Sequence, residues 1–242
     1  MLNQKQKEAY HKAQLYRLLI NLIDNKIIAT DIYFKGGTCC SMLGYLDRFS
    51  VDLDFDLKKG ANKHLLRREL HLIFKKLDLT IKDESKTTLQ FFLKYQASNK
   101  ERNTLKLEII DNSFHSIDYK LQYLKDIDRA IICQTLECMF ANKLVALTDR
   151  YKKRGTIAGR DVYDIHYFFS HGYDYKKEVI KERTGQISHD YFKELIVFIK
   201  EKITQKIIDQ DLNFLLPSKE FQVIRKTLKT ETLMFLKDAI KE

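Results

Sequence analysis

The spacing of hydrophobic residues changes along the chain, and the first half mixes the periods of helices and strands. Leucine and isoleucine recur at helical intervals over residues 4–24, which predicts an amphipathic helix. Polar and apolar residues alternate over residues 50–57, as in a strand with one buried face. The same reasoning predicts strands at 31–34, 79–82, 87–95 and 104–110 and helices at 39–46 and 64–77.

The second half is different, because from about residue 136 onward the hydrophobic residues keep helical spacing. One proline and eight glycines leave few sharp breaks in such a chain. These patterns predict an α+β fold, in which a mixed sheet with helices is followed by a helical region. We place an α/β domain at residues 1–125 and a helical domain at residues 126–242, with the transition falling within 117–132.

Net charge and hydropathy indicate which classes of partner the protein is expected to bind. Lysine and arginine outnumber aspartate and glutamate by 43 to 33, which gives a net charge of +10. This balance favours a polyanionic partner such as nucleic acid or a nucleotide, although lysine-rich proteomes raise the charge of many enzymes. No apolar run approaches the roughly 20 residues that cross a bilayer, and the chain does not start with a secretory signal. We therefore expect a cytoplasmic protein without a membrane partner.

The cysteines do not suggest a metal or disulfide framework. Cys39, Cys40, Cys133 and Cys138 lack zinc-finger spacing and are too sparse for a disulfide scaffold. We expect them to be reduced and mostly buried.

Three aspartates recur at every second position in the strand predicted at 50–57. Since side chains alternate along a strand, Asp52, Asp54 and Asp56 share one face while the apolar residues between them face the core. Neighbouring carboxylates on that face lie roughly 7 Å apart, and each pair costs about 2 kcal/mol at an effective dielectric of about 20. A divalent cation would remove this repulsion, and ligands of oxygen alone suit Mg²⁺ or Mn²⁺ rather than zinc.

Gly36, Gly37 and Thr38 lie between a predicted strand and a predicted helix. Glycines ahead of a helix let the backbone approach a phosphate closely, and the threonine adds a hydroxyl. A glycine loop followed by two aspartates that are separated by one residue is the minimum set of groups for in-line nucleotidyl transfer with metal ions. The alternative is an ordinary turn followed by a solvated acidic strand, but the close succession of both features favours the functional interpretation.

Two-metal transfer needs a third carboxylate to hold the metal that activates the nucleophile. Glu108 is the candidate, because in the strand predicted at 104–110 it shares the polar face with Lys106 while leucines face the core. Taken alone, this segment is an ordinary amphipathic strand.

Two cations share a face of the first helix of the second half, where Lys143 and Arg150 flank the small Ala146. They could neutralise charge on a triphosphate, although a basic helix face is usually just solvated. Asp161 and Asp164 follow in the next helix, where they either orient these cations or complement the helix dipole.

These segments, in this order, resemble the AbiEii family of nucleotidyltransferase toxins, a branch of the polymerase-β-like superfamily. The family motifs are a Gly-Gly/Ser loop followed by Arg-x-Ser/Thr-x-Asp-x-Asp, an aliphatic residue three before a Glu, Lys-x-x-Ala-x-x-x-Arg, and Arg-x-Lys-Asp-x-x-Asp. They correspond here to residues 36–38 with 48–54, 105–108, 143–150 and 158–164. The last match is partial, because Ala158 stands where the motif has arginine and Arg160 where it has lysine.

The resemblance implies a polymerase-β-like nucleotidyltransferase domain whose active-site cleft is completed by the helical domain. It implies that an NTP gives its nucleoside monophosphate to an acceptor, the acceptor end of tRNA in studied relatives, with Mg²⁺ or Mn²⁺ as cofactor. It further implies a toxin of a bacterial toxin–antitoxin or abortive-infection system that a cognate antitoxin neutralises.

The expected roles follow from the residues and this resemblance together. The expected metal ligands are Asp52, Asp54 and Glu108, which are also the expected catalytic residues together with Lys143 and Asp161. The expected nucleotide-binding residues are Gly36, Gly37, Thr38, Arg48, Ser50, Lys143, Arg150 and Asp164.

Two other functions stay open at this point. One is a catalytically idle module that binds a nucleotide or RNA and regulates a partner, which the intact carboxylates disfavour. The other keeps the enzyme but moves the nucleotide to a small molecule or to a protein hydroxyl. The basic charge favours RNA over these acceptors only slightly.

Overall fold

A computed structural model of the chain describes residues 4–48, 50–97, 103–213 and 215–241. Residues 1–3, which were considered above for a secretory signal, and Phe49 of the first motif lie outside the described residues. The strands are β1 (Ile32–Lys35), β2 (Asp52–Leu57), β3 (Thr80–Glu84), β4 (Leu89–Lys94), β5 (Thr104–Asp111), β6 (Tyr119–Leu124) and β7 (Arg129–Gln134). They form one seven-stranded sheet in the order β3-β4-β5-β2-β1-β7-β6, in which β2 is antiparallel to β1 and parallel to β5.

Helices precede the sheet, connect its strands and then follow it. Those within the first 76 residues are α1 (Gln4–Asp24), α2 (Lys26–Ala29), α3 (Gly36–Met42) and α4 (Lys63–Lys76). Those after the sheet are α5 (Leu136–Arg154), α6 (Gly159–Ser170), α7 (Lys177–Thr184), α8 (Ser188–Lys202), α9 (Gln205–Leu212) and α10 (Ser218–Ala239). Within the ranges that the structure describes, none of the helices is both long and apolar enough to cross a membrane.

The chain divides into two compact units. The first contains the described residues of Met1–Gly44, Ser50–Ser113 and Tyr119–Gln134, and the second those of Tyr45–Phe49, Phe114–Asp118 and Thr135–Glu242. The sheet and α1 to α4 therefore belong to the first unit, and α5 to α10 belong to the second, which we call the helical unit.

One face of the sheet is apolar, because every second residue of its central strands is aliphatic or aromatic. Leu53, Phe55 and Phe34 are fully buried there, and the rings of Phe34 and Phe55 stack with centroids 5.0 Å apart. From α4, Phe74 packs edge-on against Phe91 of β4 at 5.1 Å. Burying one such side chain contributes about 1.5–3 kcal/mol, and a slip of one residue would turn all of them to the other face. The apolar face thus fixes the register that aligns the polar residues on the opposite face.

The predicted α+β class is confirmed, but β6 and β7, which occupy most of the segment 117–132, are not among the predicted strands. In β7, four apolar residues follow one another, a run that periodicity cannot distinguish from part of a buried helix. In β6, the alternation of Tyr119, Leu121 and Tyr123 is the signal that identifies a strand. It forms an edge of the sheet with Leu121 and Tyr123 exposed.

The helical unit is organised around α5. Phe140 of this helix packs edge-on against Phe168 and Phe169 of α6, with ring centroids 4.9 and 4.8 Å away. Tyr191 of α8 is fully buried and donates its hydroxyl proton to the backbone oxygen of Leu144, 2.9 Å away. These contacts fix the face of α5 on which Lys143 lies.

The prediction for the cysteines is confirmed, since all four are free thiols and all four are buried. Burial and the neighbouring Cys133 raise the pKa of the Cys39 thiol well above its ordinary value. A buried thiol that stays protonated is a poor nucleophile and a poor metal ligand.

Candidate active site

The polar face of the sheet gathers charged side chains from three neighbouring strands. Lys35 of β1 pairs with Asp54 of β2, which pairs on its other side with Glu108 of β5. Asp52 pairs with Lys106 of the same neighbouring strand. Directly paired residues point to the same face of a sheet. We call this set of three carboxylates and two ammonium groups the charged patch.

Asp52 and Asp54 are the open carboxylates of the charged patch. Both are half-buried, and in the part of the chain that the structure describes neither side chain accepts a hydrogen bond or joins an ion pair. Burial raises the pKa of Asp54, Lys106 counteracts this, and the charges of Asp52 and Glu108 raise it further. The neighbouring positive charge therefore does not balance the negative charge of these two carboxylates.

Glu108 is engaged with neighbours of the same sheet. Its Oε2 lies 2.9 Å from Nζ of Lys106, and its Oε1 accepts a hydrogen bond from the side-chain amide of Gln90. Among the described residues, no group of three or more His, Cys, Asp or Glu side chains is arranged to hold a metal ion. The three predicted metal ligands thus share one patch, but they do not surround a common centre.

The donor chemistry of the patch fits a hard divalent cation. Carboxylate oxygens without internal partners are the ligands that Mg²⁺ and Mn²⁺ prefer, and Asp52 and Asp54 both provide them. Glu108 fits this set of metal ligands only if its carboxylate exchanges its contact with Lys106 for a contact with the cation.

Asp56, the third aspartate of β2, has a different environment. It is 2% exposed and accepts hydrogen bonds from Nζ of Lys35 at 2.6 Å, from the hydroxyl of Tyr119 at 2.9 Å and from the side-chain amide of Gln134. Burial and the charge of Asp56 raise the pKa of Tyr119, which keeps its hydroxyl protonated as a donor. Asp56 therefore ties β2 to β1, β6 and β7 and is no open ligand.

Sequence reasoning misses four polar residues that determine this geometry. Gln90 lies in a strand that was predicted, and its position opposite Glu108 follows only from the pairing of β4 with β5. Lys35 precedes the glycine loop directly, which is a local signal for a nearby anion. Tyr119 and Gln134 lie in β6 and β7, so without those strands nothing connects them to Asp56.

The glycine loop is the first turn of α3, which begins at Gly36 rather than after the glycines. Gly36 has φ +81°, a left-handed conformation that costs roughly 1–2 kcal/mol for a residue with a Cβ atom. A Cβ atom at this position would also lie 2.8 Å from Oδ2 of Asp54, closer than real Cβ contacts. Position 36 therefore requires glycine for two reasons, and its backbone lies against the Asp54 carboxylate.

Thr38 connects this loop to β2. Its Oγ1 lies 2.5 Å from the backbone oxygen of Asp52 and 2.9 Å from Oγ of Ser50. Because a carbonyl oxygen can only accept, Thr38 donates its proton to Asp52 and can accept one from Ser50. Thr38 is 4% exposed, so its hydroxyl holds the loop on the strand and has no proton left for a phosphate.

A second group of predicted residues lies within the helical unit. Asp164 is fully buried and accepts hydrogen bonds from Nε and Nη2 of Arg48 at 2.5 and 2.7 Å, and Nζ of Lys143 is 2.8 Å away. Burial raises the pKa of Asp164, but the two cations outweigh it and the pKa falls below its ordinary value. Arg48 and Asp164 thus satisfy each other's charge inside the unit.

Asp161 is buried as well and links the two predicted cations of α5. It accepts hydrogen bonds from Nζ of Lys143 at 3.2 Å and from Nη2 of Arg150 at 3.3 Å. The side chains of these cations remain 17% and 32% exposed. The start of α6 is capped by Asp211, which accepts from the backbone N–H of Gly159 at 2.6 Å. Asp161 therefore contacts both cations, and because it also lies in the first turn of α6, it is placed to complement the helix dipole as well.

Comparisons with known proteins identify the family and the fold of the chain. The profile of the family described as "Nucleotidyl transferase AbiEii toxin, Type IV TA system" matches residues 17–230. No curated protein is similar enough in sequence to count as a match. Similar solved structures include a Helicobacter pylori protein described as a candidate nucleotidyltransferase, with a TM-score of 0.61 at 22% identity over 98% of this chain and 96% of that one.

Two further structures have the same fold. JHP933 from Helicobacter pylori has a TM-score of 0.55 at 21% identity, covering 98% of this chain and 99% of that one. MenT4, a nucleotidyltransferase toxin from Mycobacterium tuberculosis H37Rv, has a TM-score of 0.60 at 15% identity, covering 98% and 86%. At these identities the likeness shows the fold alone.

Proposed function

Because the chain belongs to the AbiEii family of nucleotidyl transferase toxins of type IV toxin–antitoxin systems, we propose that it transfers the nucleoside monophosphate of an NTP to an RNA acceptor with Mg²⁺ or Mn²⁺. The observation that carries this proposal is the pair Asp52 and Asp54, whose carboxylates stay without partners in the described chain beside the glycine loop. Repelling, half-buried carboxylates disfavour folding, so a binding function best explains them.

Asp52 and Asp54 would hold the divalent cation, and Glu108 would complete the set on the side of the acceptor hydroxyl. When bound, the metal supplies positive charge that makes the hydroxyl a better nucleophile and offsets the charge of the departing pyrophosphate. The hydroxyl oxygen forms a bond to the α-phosphorus and loses its proton to water, while the bond from that phosphorus to the bridging oxygen breaks and pyrophosphate leaves with that oxygen. The residues of the charged patch keep the carboxylates on one face and in register for this chemistry.

The glycine loop would bind the triphosphate. Gly36 and Gly37 have no side chains to keep a phosphate away from the backbone, and Thr38 holds the loop against β2. Ser50 is half-buried and can turn its proton from Thr38 to a phosphate oxygen. We therefore assign Thr38 to positioning the loop, and Gly36, Gly37 and Ser50 to direct phosphate contacts.

In the helical unit, Lys143 and Arg150 are the cations that we assign to the triphosphate. Burial lowers the pKa of Lys143, but Asp164 and Asp161 outweigh it and raise the pKa, so the ammonium stays charged at neutral pH. Asp161 orients both side chains, and Asp164, which is paired with Arg48, also holds Lys143 from inside the unit. Preorganised cations of this kind stabilise developing negative charge better than mobile ones.

The partners follow from the same reasoning. The net charge of +10 supports an RNA acceptor, tRNA first among them, over a small molecule or a protein hydroxyl. Family membership supports a cognate antitoxin that suppresses the effect of the transfer reaction on growth. Transfer to RNA would take place in the cytoplasm, where NTPs and tRNA are found.

The test is to incubate the purified chain with each α-labelled NTP, Mg²⁺ and total tRNA, and to follow label on the RNA. The double variant Asp52→Asn/Asp54→Asn should abolish labelling. Asp111→Asn should preserve it, since this variant also removes a carboxylate from the sheet but does so at an exposed position outside the charged patch. Labelling that survives in the double variant, or that requires no divalent cation, would contradict the proposal.

A negative result with tRNA separates the remaining alternatives. Label that appears on the protein itself or on an added small molecule, and disappears in the double variant, would keep the enzyme and change its acceptor. An NTP that binds to the wild type without any transfer, in the presence of RNA and Mg²⁺, would identify a catalytically idle module.

A further inference from the structure

Lys106 lies beside the carboxylates of the charged patch. It pairs with Asp52 across the β2–β5 ladder, and its Nζ lies 2.9 Å from Oε2 of Glu108. Asp54 pairs with Glu108, the next residue on the same face of β5 as Lys106. One ammonium group from the chain itself thus lies on the same face as the three anions that the proposed function assigns to the metal.

The two lysines of the patch differ in how firmly they are held. Lys35 is 2.6 Å from Asp56, which is buried and bound by two further donors from β6 and β7. Lys106 has Glu108 as its one ion-pair partner in the described chain, and a quarter of its side chain is exposed. Its flexible four-carbon stem can turn the ammonium into water, where an ammonium is strongly hydrated.

We propose that Lys106 is an internal counter-cation, whose ammonium group holds Glu108 in the metal-free protein and leaves when a divalent cation binds. This inference rests on the proposed metal-dependent function and adds a regulated step to it. The ammonium stabilises the carboxylates without metal and keeps Glu108 out of the ligand set, so Lys106 competes with the metal. Release of Lys106 frees Oε2 of Glu108, while Gln90 continues to hold Oε1 and keeps the side chain in place.

Metal binding to variants of Lys106 tests the competition directly. Mn²⁺ binding is measured by electron paramagnetic resonance on the full chain, without NTP or RNA. Lys106→Met removes the charge and keeps much of the stem, and should bind Mn²⁺ on the order of tenfold more tightly or better. Lys106→Arg keeps a cation near Glu108 and should remain within about threefold of the wild type.

Lys94→Met is the matched control. Lys94 is an exposed lysine of β4 that pairs with Thr104, so it lies on the same face of the sheet as Lys106 but beyond the charged patch. The variant makes the same change in net charge, and should leave Mn²⁺ affinity within about threefold of the wild type because exposed charges are screened. If both methionine variants gained Mn²⁺ affinity equally, the change in net charge would explain the effect, and the inference would be overturned.

A second measurement needs no variant of Lys106. Acetylation of lysines by a water-soluble active ester is followed by mass spectrometry on the wild-type chain, with and without Mg²⁺. Mg²⁺ should raise the rate at Lys106 severalfold and leave Lys94 unchanged. In Asp52→Asn/Asp54→Asn the metal should have no effect at either lysine.

The outcomes distinguish this inference from the function on which it rests. If the wild type binds Mn²⁺ and Lys106→Met binds it equally or more weakly, or if Mg²⁺ leaves acetylation of Lys106 unchanged, the counter-cation role is wrong and the metal site stands. If neither the wild type nor Lys106→Met binds Mn²⁺ while both remain folded by circular dichroism, both the inference and the metal-dependent function are wrong.

Discussion

The Cβ atom that an alanine would carry at position 36 lies 2.8 Å from Oδ2 of Asp54, so the glycine loop and the proposed metal ligand share one tight contact. Gly44 has nearly the same φ, +79° against +81°, but a Cβ atom there meets nothing within 4 Å. We expect both Gly36→Ala and Gly44→Ala to lose about 1–2 kcal/mol of stability to left-handed strain. Only Gly36→Ala should also displace Asp54 and lower transfer activity, by roughly 100-fold.

Urea unfolding and the RNA-labelling assay check this pair of variants side by side. Since Gly44→Ala reproduces the strain without the collision, it separates loss of stability from loss of geometry. If both variants lost activity to the same degree, backbone strain alone would explain the effect, and the contact with Asp54 would have no catalytic meaning.

The aspartates of β2 should separate into two classes on substitution. Asp52→Asn and Asp54→Asn remove one of two repelling charges, so the free energy of unfolding should stay the same or increase while activity falls by roughly 100-fold or more. Asp56→Asn should instead lower stability by about 1–3 kcal/mol, because Lys35, Tyr119 and Gln134 lose the buried carboxylate that accepts their hydrogen bonds.

Urea unfolding measures the free energy of unfolding, and RNA labelling measures transfer activity under conditions where all three variants are folded. A stability loss in Asp52→Asn as large as in Asp56→Asn would show that Asp52 has a structural partner and is not an open ligand.

The parts of the site that the sequence predicts correctly are those that depend on local periodicity. Alternation along β2 and β5 places Asp52, Asp54 and Glu108 on polar faces, and parallel pairing then brings them side by side. Helical spacing in α5 likewise places Lys143 and Arg150 on one face, where both contact the same aspartate of α6. In each case the signal extends over a few residues of one element.

The parts that the sequence does not predict depend on which distant elements are paired. Asp56 shares the alternation of its two neighbours, yet Gln134, 78 positions later in the chain, makes it an internal acceptor. The hydroxyl of Thr38 matches a phosphate-binding pattern, but the backbone of Asp52 takes its proton. Pattern shows which face a residue occupies, whereas tertiary pairing decides whether its polar atoms are free.

The hydroxyl of Thr38, rather than its methyl group, should hold the glycine loop on β2. Thr38→Val keeps the volume but leaves the backbone oxygen of Asp52 without its buried donor, which should cost about 1–3 kcal/mol. Thr38→Ser keeps the donor and should lose less than about 1.5 kcal/mol, the value of small volume changes in a core. Urea unfolding of the two variants decides the point, and equal losses would indicate that the methyl group matters more than the hydrogen bond.

The buried ion pair of the helical unit should make stability depend on acid pH. Arg48 and Lys143 outweigh burial and lower the pKa of Asp164 in the folded state. The unfolded value is about 3.9, so above about pH 5 the carboxylate is ionised in both states and its full contribution is present. As the pH falls through the lower folded pKa, the carboxylate is protonated and that contribution is lost.

Asp164→Asn lacks this contribution at every pH. The wild type should therefore exceed it in free energy of unfolding by about 3–5 kcal/mol at neutral pH, and this difference should shrink below about pH 4. Urea unfolding between pH 3 and 7 measures the difference, with Asp111→Asn as the control. That exposed residue pairs with Lys63 at the surface, so its removal should cost at most about 1 kcal/mol at any pH. A difference for Asp164→Asn that stayed constant down to pH 3 would show that the cations do not act on its ionised form, and the proposed support of Lys143 from inside the unit would be wrong.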